Sequence, residues 1–334
     1  MKPRPTIATG RADTRPTVAI VTPAHRASNN GNWQTAWRWS QLLARDYRIV
    51  LLDAWRGEAA DVLIALHARR SAPSIAAWHA QRRGPLALVM TGTDLYRDIA
   101  SDAAAQASLA MADRLVVLQE LGHQRLPPAL RSRCVVCFQS CPTLPAVRKT
   151  ERHLRVLMVG HLRDEKSPQT YFEAARRSRA RHDIVWDHIG APLDAALGEQ
   201  ARALMREQPR YHWLGALGHS ATRRRIQRAH VLVHASAMEG GAHVIAEALR
   251  SGTPVLASRI DGNVGMLGPD YAGYFDWNDA SALAALVARA RDEPAMLAGL
   301  AAQCSHRAWL FEPKRERATL LTMLKSLLQS ARHE

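Results

Sequence analysis

The chain holds no apolar run near the 18 or so residues of a membrane span, and its first sixteen residues, rich in proline, threonine and arginine, lack the hydrophobic centre of a signal peptide. Those two absences predict a soluble, cytoplasmic protein without stable membrane association, with a disordered tail over 1–16. No D-x-D pair occurs, so no metal is implied at such a pair and no cofactor is called for. Cysteine is scarce. Of four, Cys134, Cys137 and Cys141 cluster in "RCVVCFQSCP", but no matched histidine or second cysteine pair accompanies them, and the segment reads as a short strand running into a loop. Packing, with the thiols as small hydrophobes, is the better reading of the three. Lysine is scarce too, with five against forty arginines in a net charge of +15. The arginines are spread over many segments, and no zinc-finger or RNA-binding motif stands beside them, so nucleic acid is not the expected partner. A basic surface does suit an anionic small molecule, whose local concentration it raises.

What is present is a core large enough for two domains: 334 residues, 47% of them apolar. Short continuous apolar runs alternate with helical spacing twice along the chain. The first set is "TVAIVTP", "YRIVLLD", "DVLIALH", "LALVMTG" and "DRLVVLQ"; the second is "LRVLMVG", "DIVWDHIG", "YHWLG", "AHVLVHAS", "TPVLAS" and "AGYFD". Unbroken apolar strands of this length are covered on both faces, as in parallel sheets. The fold class is therefore α/β, with two doubly wound, Rossmann-like domains facing a cleft. The division is an N-terminal domain over 17–145, a proline-bearing linker over 146–153, a C-terminal domain over 154–312 and a final helix over 313–334. Ligands of such sheets bind at the carboxyl ends of the strands.

Within "SAMEGGAHVIAEALRSGTPVLAS" (236–258), a strand ends, Gly240 and Gly241 allow a tight turn, and a helix runs on from about Ala242. Free amides there would suit a diphosphate. Glu239 sits in the turn. Glu247 lies among apolar residues, where an unpaired carboxylate costs several kcal/mol and so calls for hydrogen-bond donors, which a ribose diol offers. A solvated helix carboxylate beside an ordinary glycine turn remains the alternative.

The E-x7-E spacing across strand, glycine turn and helix resembles the donor-site signature of retaining GT-B glycosyltransferases, family 4. "VGHLRDEK" (159–166) is similar to that family's diphosphate-gripping loop, with Gly160 and Lys166 in place and His161 where an arginine is usual. The resemblance implies donor contacts from Gly160, His161, Gly240, Gly241, Ala242, His243 and Glu247, with Lys166, Glu239 and Arg163 or a protonated His161 serving catalysis. More loosely, "TPAHRASNNGNWQTAWRW" and "TGTDLYRD" resemble acceptor-side loops. This implies acceptor contacts from Arg26, Asn29, Asn30, Gly31, Asn32, Thr93, Asp94 and Arg97, whereas Trp33, Trp37 and Trp39 read as packing. These phrases are most like the selenosugar-synthase branch of the superfamily. That branch implies transfer of a sugar, N-acetylglucosamine above all, from a UDP-sugar to selenophosphate, without a metal or other cofactor. Transfer to a hydroxyl acceptor and a non-catalytic binding module are the alternative readings.

Overall fold

Every one of those apolar runs forms a strand in the computed structural model, which describes residues 14–23, 31–81 and 83–331. The first sheet comprises β1 (Thr17–Val21), β2 (Arg48–Leu52), β3 (Val62–Leu66), β4 (Leu86–Val89), β5 (Arg114–Val117) and β6 (Cys134–Val136), in the order β2-β1-β3-β4-β5-β6. The second comprises β7 (Leu154–Val159), β8 (Ile184–Ile189), β9 (Tyr211–Trp213), β10 (Val231–His234), β11 (Val255–Ser258) and β12 (Tyr274–Phe275), in the order β12-β11-β10-β7-β8-β9. All pairings are parallel.

Helices α1 (Gly31–Leu43), α2 (Ala72–Ala80), the short α3 (Ile99–Ser101) and α4 (Ala103–Met111) belong to the first sheet. Helices α5 (Pro168–Arg177), α6 (Ala195–Glu207), α7 (His219–Arg228), α8 (His243–Leu249), α9 (Asp261–Leu267), α10 (Ala280–Asp292) and α11 (Pro294–Arg307) belong to the second. The last, α12 (Pro313–Ser330), returns to the first sheet: Leu320, Met323, Leu324 and Leu327 are buried with Val18, Ile20, Trp39, Leu43 and Val62. The opposite face packs Leu63, Ile75, Trp78, Leu88 and Leu109. A third core, from Leu154 to Phe311, fills the second lobe and takes in Cys141.

Two crossings therefore join the lobes, and Glu316 pins both. Its buried carboxylate accepts from Arg38 Nε (2.9 Å), Trp39 Nε1 (2.7 Å) and the Ser140 amide (2.9 Å), so α1, α12 and the outgoing segment meet on one anion. The segment after Ser140 is tethered to the second lobe, where Arg223 and Gln227 donate to the carbonyls of Pro142 and Pro145 and the Leu144 amide donates to Arg250.

Cys137 and Cys141 are buried and Cys134 half-buried; burial raises all three thiols, Cys134 to about 11 and Cys141 to about 12. They are protonated packing groups at neutral pH. Of the tryptophans read as packing, Trp39 is buried, but Trp37 is 48% exposed and stacks on Trp33 at 6.3 Å between ring centroids. Positions 33 and 37 lie one turn apart on an outward face that helical spacing alone does not distinguish from the inward one.

Candidate active site

The strand order reverses in the second sheet between β7 and β10, since β8 and β9 extend one side and β11 and β12 the other. Such a switch point opens a crevice beyond the strand ends, and the loops that flank it here are 160–167 and 235–242. They carry the residues singled out from the sequence. The Ala237 amide donates to the Glu165 carbonyl (2.9 Å), which ties the two loops together, and a left-handed Ser167 (φ 45°) starts α5. Between the loops, Lys166 Nζ donates to Glu239 Oε1, and His234 Nε2 from the end of β10 lies 3.3 Å from the same oxygen.

Burial alone would raise the Glu239 carboxyl, but the Lys166 ammonium and the His234 ring more than offset it and hold the group well below the usual carboxylate range. Burial lowers His234. A carboxylate depressed on folding contributes stability that is present above its unfolded value near 4.3 and is lost as pH falls through its folded value. Acid unfolding below about pH 4 is therefore expected to be less steep in Glu239→Gln, as read from urea midpoints across pH 2–6. Identical profiles for the two proteins would remove this role.

Glu247 sits on α8, buried, with Oε1 at 2.6 Å from His219 Nε2 and 3.5 Å from His243 Nδ1. Burial raises its carboxyl, yet the bonds from His219 and then His243 overcome this and bring it down to about 2. Among the described residues its Oε2 accepts no hydrogen bond, which leaves an acceptor for a ligand.

The glycines do something the sequence reading did not anticipate. A Cβ on Gly240 would lie 2.4 Å from the Thr91 carbonyl carbon and 2.6 Å from the Gly92 nitrogen, and one on Gly241 would lie 2.5 Å from Leu118 Cβ. The turn is therefore a contact point between lobes. The Ala242 amide is also engaged, by Met266 Sδ at 3.1 Å, so this turn is not simply a row of free amides. Gly240→Ala is expected to cost about 1–3 kcal/mol through this clash with backbone, measured as a lower Tm. An unchanged Tm would show that the lobes do not meet there in solution.

His161 is not a protonated partner of Lys166. Its Nδ1 accepts from the Ala191 amide (3.0 Å), and burial followed by the charges of Arg163 and Lys166 lowers its pKa. The Arg163 side chain is 44% exposed and 3.9 Å from Glu165, and among the described residues it makes no hydrogen bond or ion pair with Lys166 or Glu239; Arg163 meets Lys166 only through its carbonyl, which accepts from the Lys166 amide (3.0 Å). Gly160 lies against the Lys166 stem.

On the acceptor side, Arg26, Asn29 and Asn30 fall outside the described residues, and Gly31 and Asn32 open α1. Asp94 holds its loop and is not free to take a sugar hydroxyl. Fully buried, it accepts from the amides of Thr91, Gly92 and Ala68 at 2.9–3.0 Å. Arg97 is half exposed and paired with Asp98 at 3.1 Å. The Thr93 hydroxyl is 3.2 Å from His67 Nε2, a residue at φ 75° that the sequence reading passed over along with His219 and His234. Two shallow surface cavities of about 520 and 400 Å³, the first lined by α10 and α11 and the second by α2 and α4, contain none of the cluster around Lys166, Glu239 and Glu247.

Residues 144–308 match the family model described as glycosyl transferases group 1. No curated protein sequence matches the chain. Among solved structures it is similar to HepE of Anabaena in complex with UDP and glucose, at TM-score 0.73 and 14% identity, covering 94% of this chain and 100% of that one. Sucrose-phosphate synthase of Thermosynechococcus elongatus gives TM-score 0.75 at 16% identity, over 95% and 100% of the two chains. TarM of S. aureus, solved with UDP, gives TM-score 0.64 at 11% identity over 78% of this chain; this chain spans only 55% of its length. The fold is thus that of the GT-B proteins, two parallel six-stranded sheets with helices on their faces. The family match covers the second lobe together with the segment that leads into it. No helix among the described residues is long and apolar enough to cross a membrane.

Proposed function

We propose that this protein is a retaining glycosyltransferase that moves a sugar, N-acetylglucosamine above all, from a UDP-sugar to selenophosphate, giving a selenosugar without a metal or other cofactor. The observation that carries the donor side is the pairing of Lys166 with Glu239 across the two loops of the crevice, with Glu247 beyond it on α8. The structural neighbours solved with UDP and UDP-glucose support a nucleotide-sugar donor. The selenium acceptor rests on the sequence resemblance alone.

In this reading the bond between the sugar's anomeric carbon and the β-phosphate oxygen breaks, and the departing UDP keeps the electron pair. Lys166 neutralises that charge from a fixed position, an electrostatic contribution that costs no reorganisation at the moment of reaction. Glu239, held anionic, orients a sugar hydroxyl, and Glu247 accepts from the ribose diol. Selenium of selenophosphate, already an anion, forms the new bond on the face from which UDP left, so no strong general base is needed. Hydrolysis of the selenium–phosphorus bond then releases phosphate. Incubation with UDP-N-acetylglucosamine and either selenophosphate or thiophosphate, followed by mass spectrometry, is expected to show UDP and a seleno- or thiosugar. UDP release only with a hydroxyl acceptor would move the protein to the ordinary branch of the family, and no release with any acceptor would overturn the catalytic reading. Glu247→Gln is expected to weaken UDP binding roughly tenfold or more by calorimetry, because a charged hydrogen bond to the ribose is lost; unchanged affinity would exclude that contact.

A further inference from the structure

The two partners of Glu247, His219 at 2.6 Å and His243 at 3.5 Å, are both metal-ligating side chains, as is the carboxylate they share. His219 Nε2, His243 Nδ1 and Glu247 Oε1 all lie within 4.8 Å of one another. His243 Nε2 is 3.0 Å from the Ser140 carbonyl oxygen, which only accepts, so that nitrogen carries the proton. That anchor points the ring's Nδ1 toward a carboxylate oxygen 3.5 Å away. Two imidazoles and one carboxylate form the three-ligand set of open zinc sites. A ring anchored to a carbonyl through its other nitrogen is the usual outer support of such a ligand. Two nitrogen donors disfavour magnesium and calcium, which take oxygen.

We propose that His219, His243 and Glu247 chelate a divalent d-block cation of the Zn²⁺ type, with a further coordination position open on the side of His219, whose side chain is 55% exposed. Because the ion would bind Oε1 of the carboxylate whose Oε2 is the acceptor assigned to the ribose, it would draw negative charge from that acceptor and oppose nucleotide binding; that consequence, unlike the site, rests on the function proposed above.

The test uses chelator-stripped full-length protein without nucleotide. Calorimetry with zinc chloride is expected to give one site per chain. Its affinity should fall in His219→Gln and Glu247→Gln by more than the roughly 10- to 100-fold that loss of an outer-shell partner costs. It should be unchanged in His182→Ala, an exposed histidine outside the cluster. Cobalt is expected to give visible bands without a thiolate charge-transfer band. The absence of saturable zinc binding, its persistence in folded His219→Gln and His219→Ala/His243→Ala, or a thiolate band would each overturn the site. UDP titrated into zinc-loaded and stripped protein is expected to bind more weakly to the loaded form. Equal affinity overturns the shared use of Glu247, whereas no UDP binding to the stripped form overturns the nucleotide reading and leaves the metal result standing.

Discussion

Turnover of a UDP-sugar is expected to fall roughly 100- to 1,000-fold in Lys166→Ala, the range seen when one preorganised donor to a developing anion is removed. In the proposed reaction the side chain needs no rearrangement to take that role. Its stem lies on Gly160 and its ammonium on Glu239, with side-chain exposures of 18% and 12% for the two partners, so little water competes for the charge. The loss should appear mainly in kcat, since the leaving group's charge develops in the transition state, with a smaller loss in UDP affinity. The substitution also leaves Glu239 with His234 as its remaining partner, and the Glu239 carboxyl should move upward. Lys166→Ala/Glu239→Gln therefore separates the two effects, because it removes the stranded carboxylate while still lacking the cation. UDP affinity and turnover both surviving in Lys166→Ala would end the leaving-group role.

The largest expected effect on stability is at Glu316, far from the chemistry. Removing one member of a buried, hydrogen-bonded charge pair typically costs about 3–5 kcal/mol. Glu316→Ala removes the anion from Arg38 and leaves Trp39 Nε1 and the Ser140 amide unpaired in a place water does not reach. Glu316→Gln keeps the shape but not the charge and should cost less. Urea unfolding is the measurement, with a lower midpoint at unchanged slope. A change below about 1 kcal/mol, the scale of an exposed ion pair, would mean that the carboxylate is solvated in the folded protein.

The strands were legible because both faces of each sheet are covered, which leaves continuous apolar runs such as "TVAIV" and "VLVH" with few competing interpretations. Lys166, Glu239 and Glu247 were legible as candidates because a glycine and a strand end mark where a chain must enter a crevice. Glu316 was not. A glutamate one turn into a helix is ordinary in sequence, and what makes this one different lies 278 residues away at Arg38. Asp94 misled for a related reason: a carboxylate after a glycine serves equally well to receive backbone amides or a ligand, and only coordinates separate the two. His219 follows the irregular segment "GALG" and meets Glu247 through tertiary packing alone, a relation that no local spacing carries.

The return of α12 to the first sheet fixes an order of assembly. While the polypeptide emerges from the ribosome, the apolar side of that sheet bearing Val18, Ile20 and Val62 has only α1 to cover it until residues near Leu327 have been made. The second lobe, whose strands and core are contained between Leu154 and Phe311, is then the first able to close, although it is synthesised later. Premature termination after Phe311 would release a chain with a finished second lobe and a sticky, half-dressed first lobe, a substrate for chaperones and proteases.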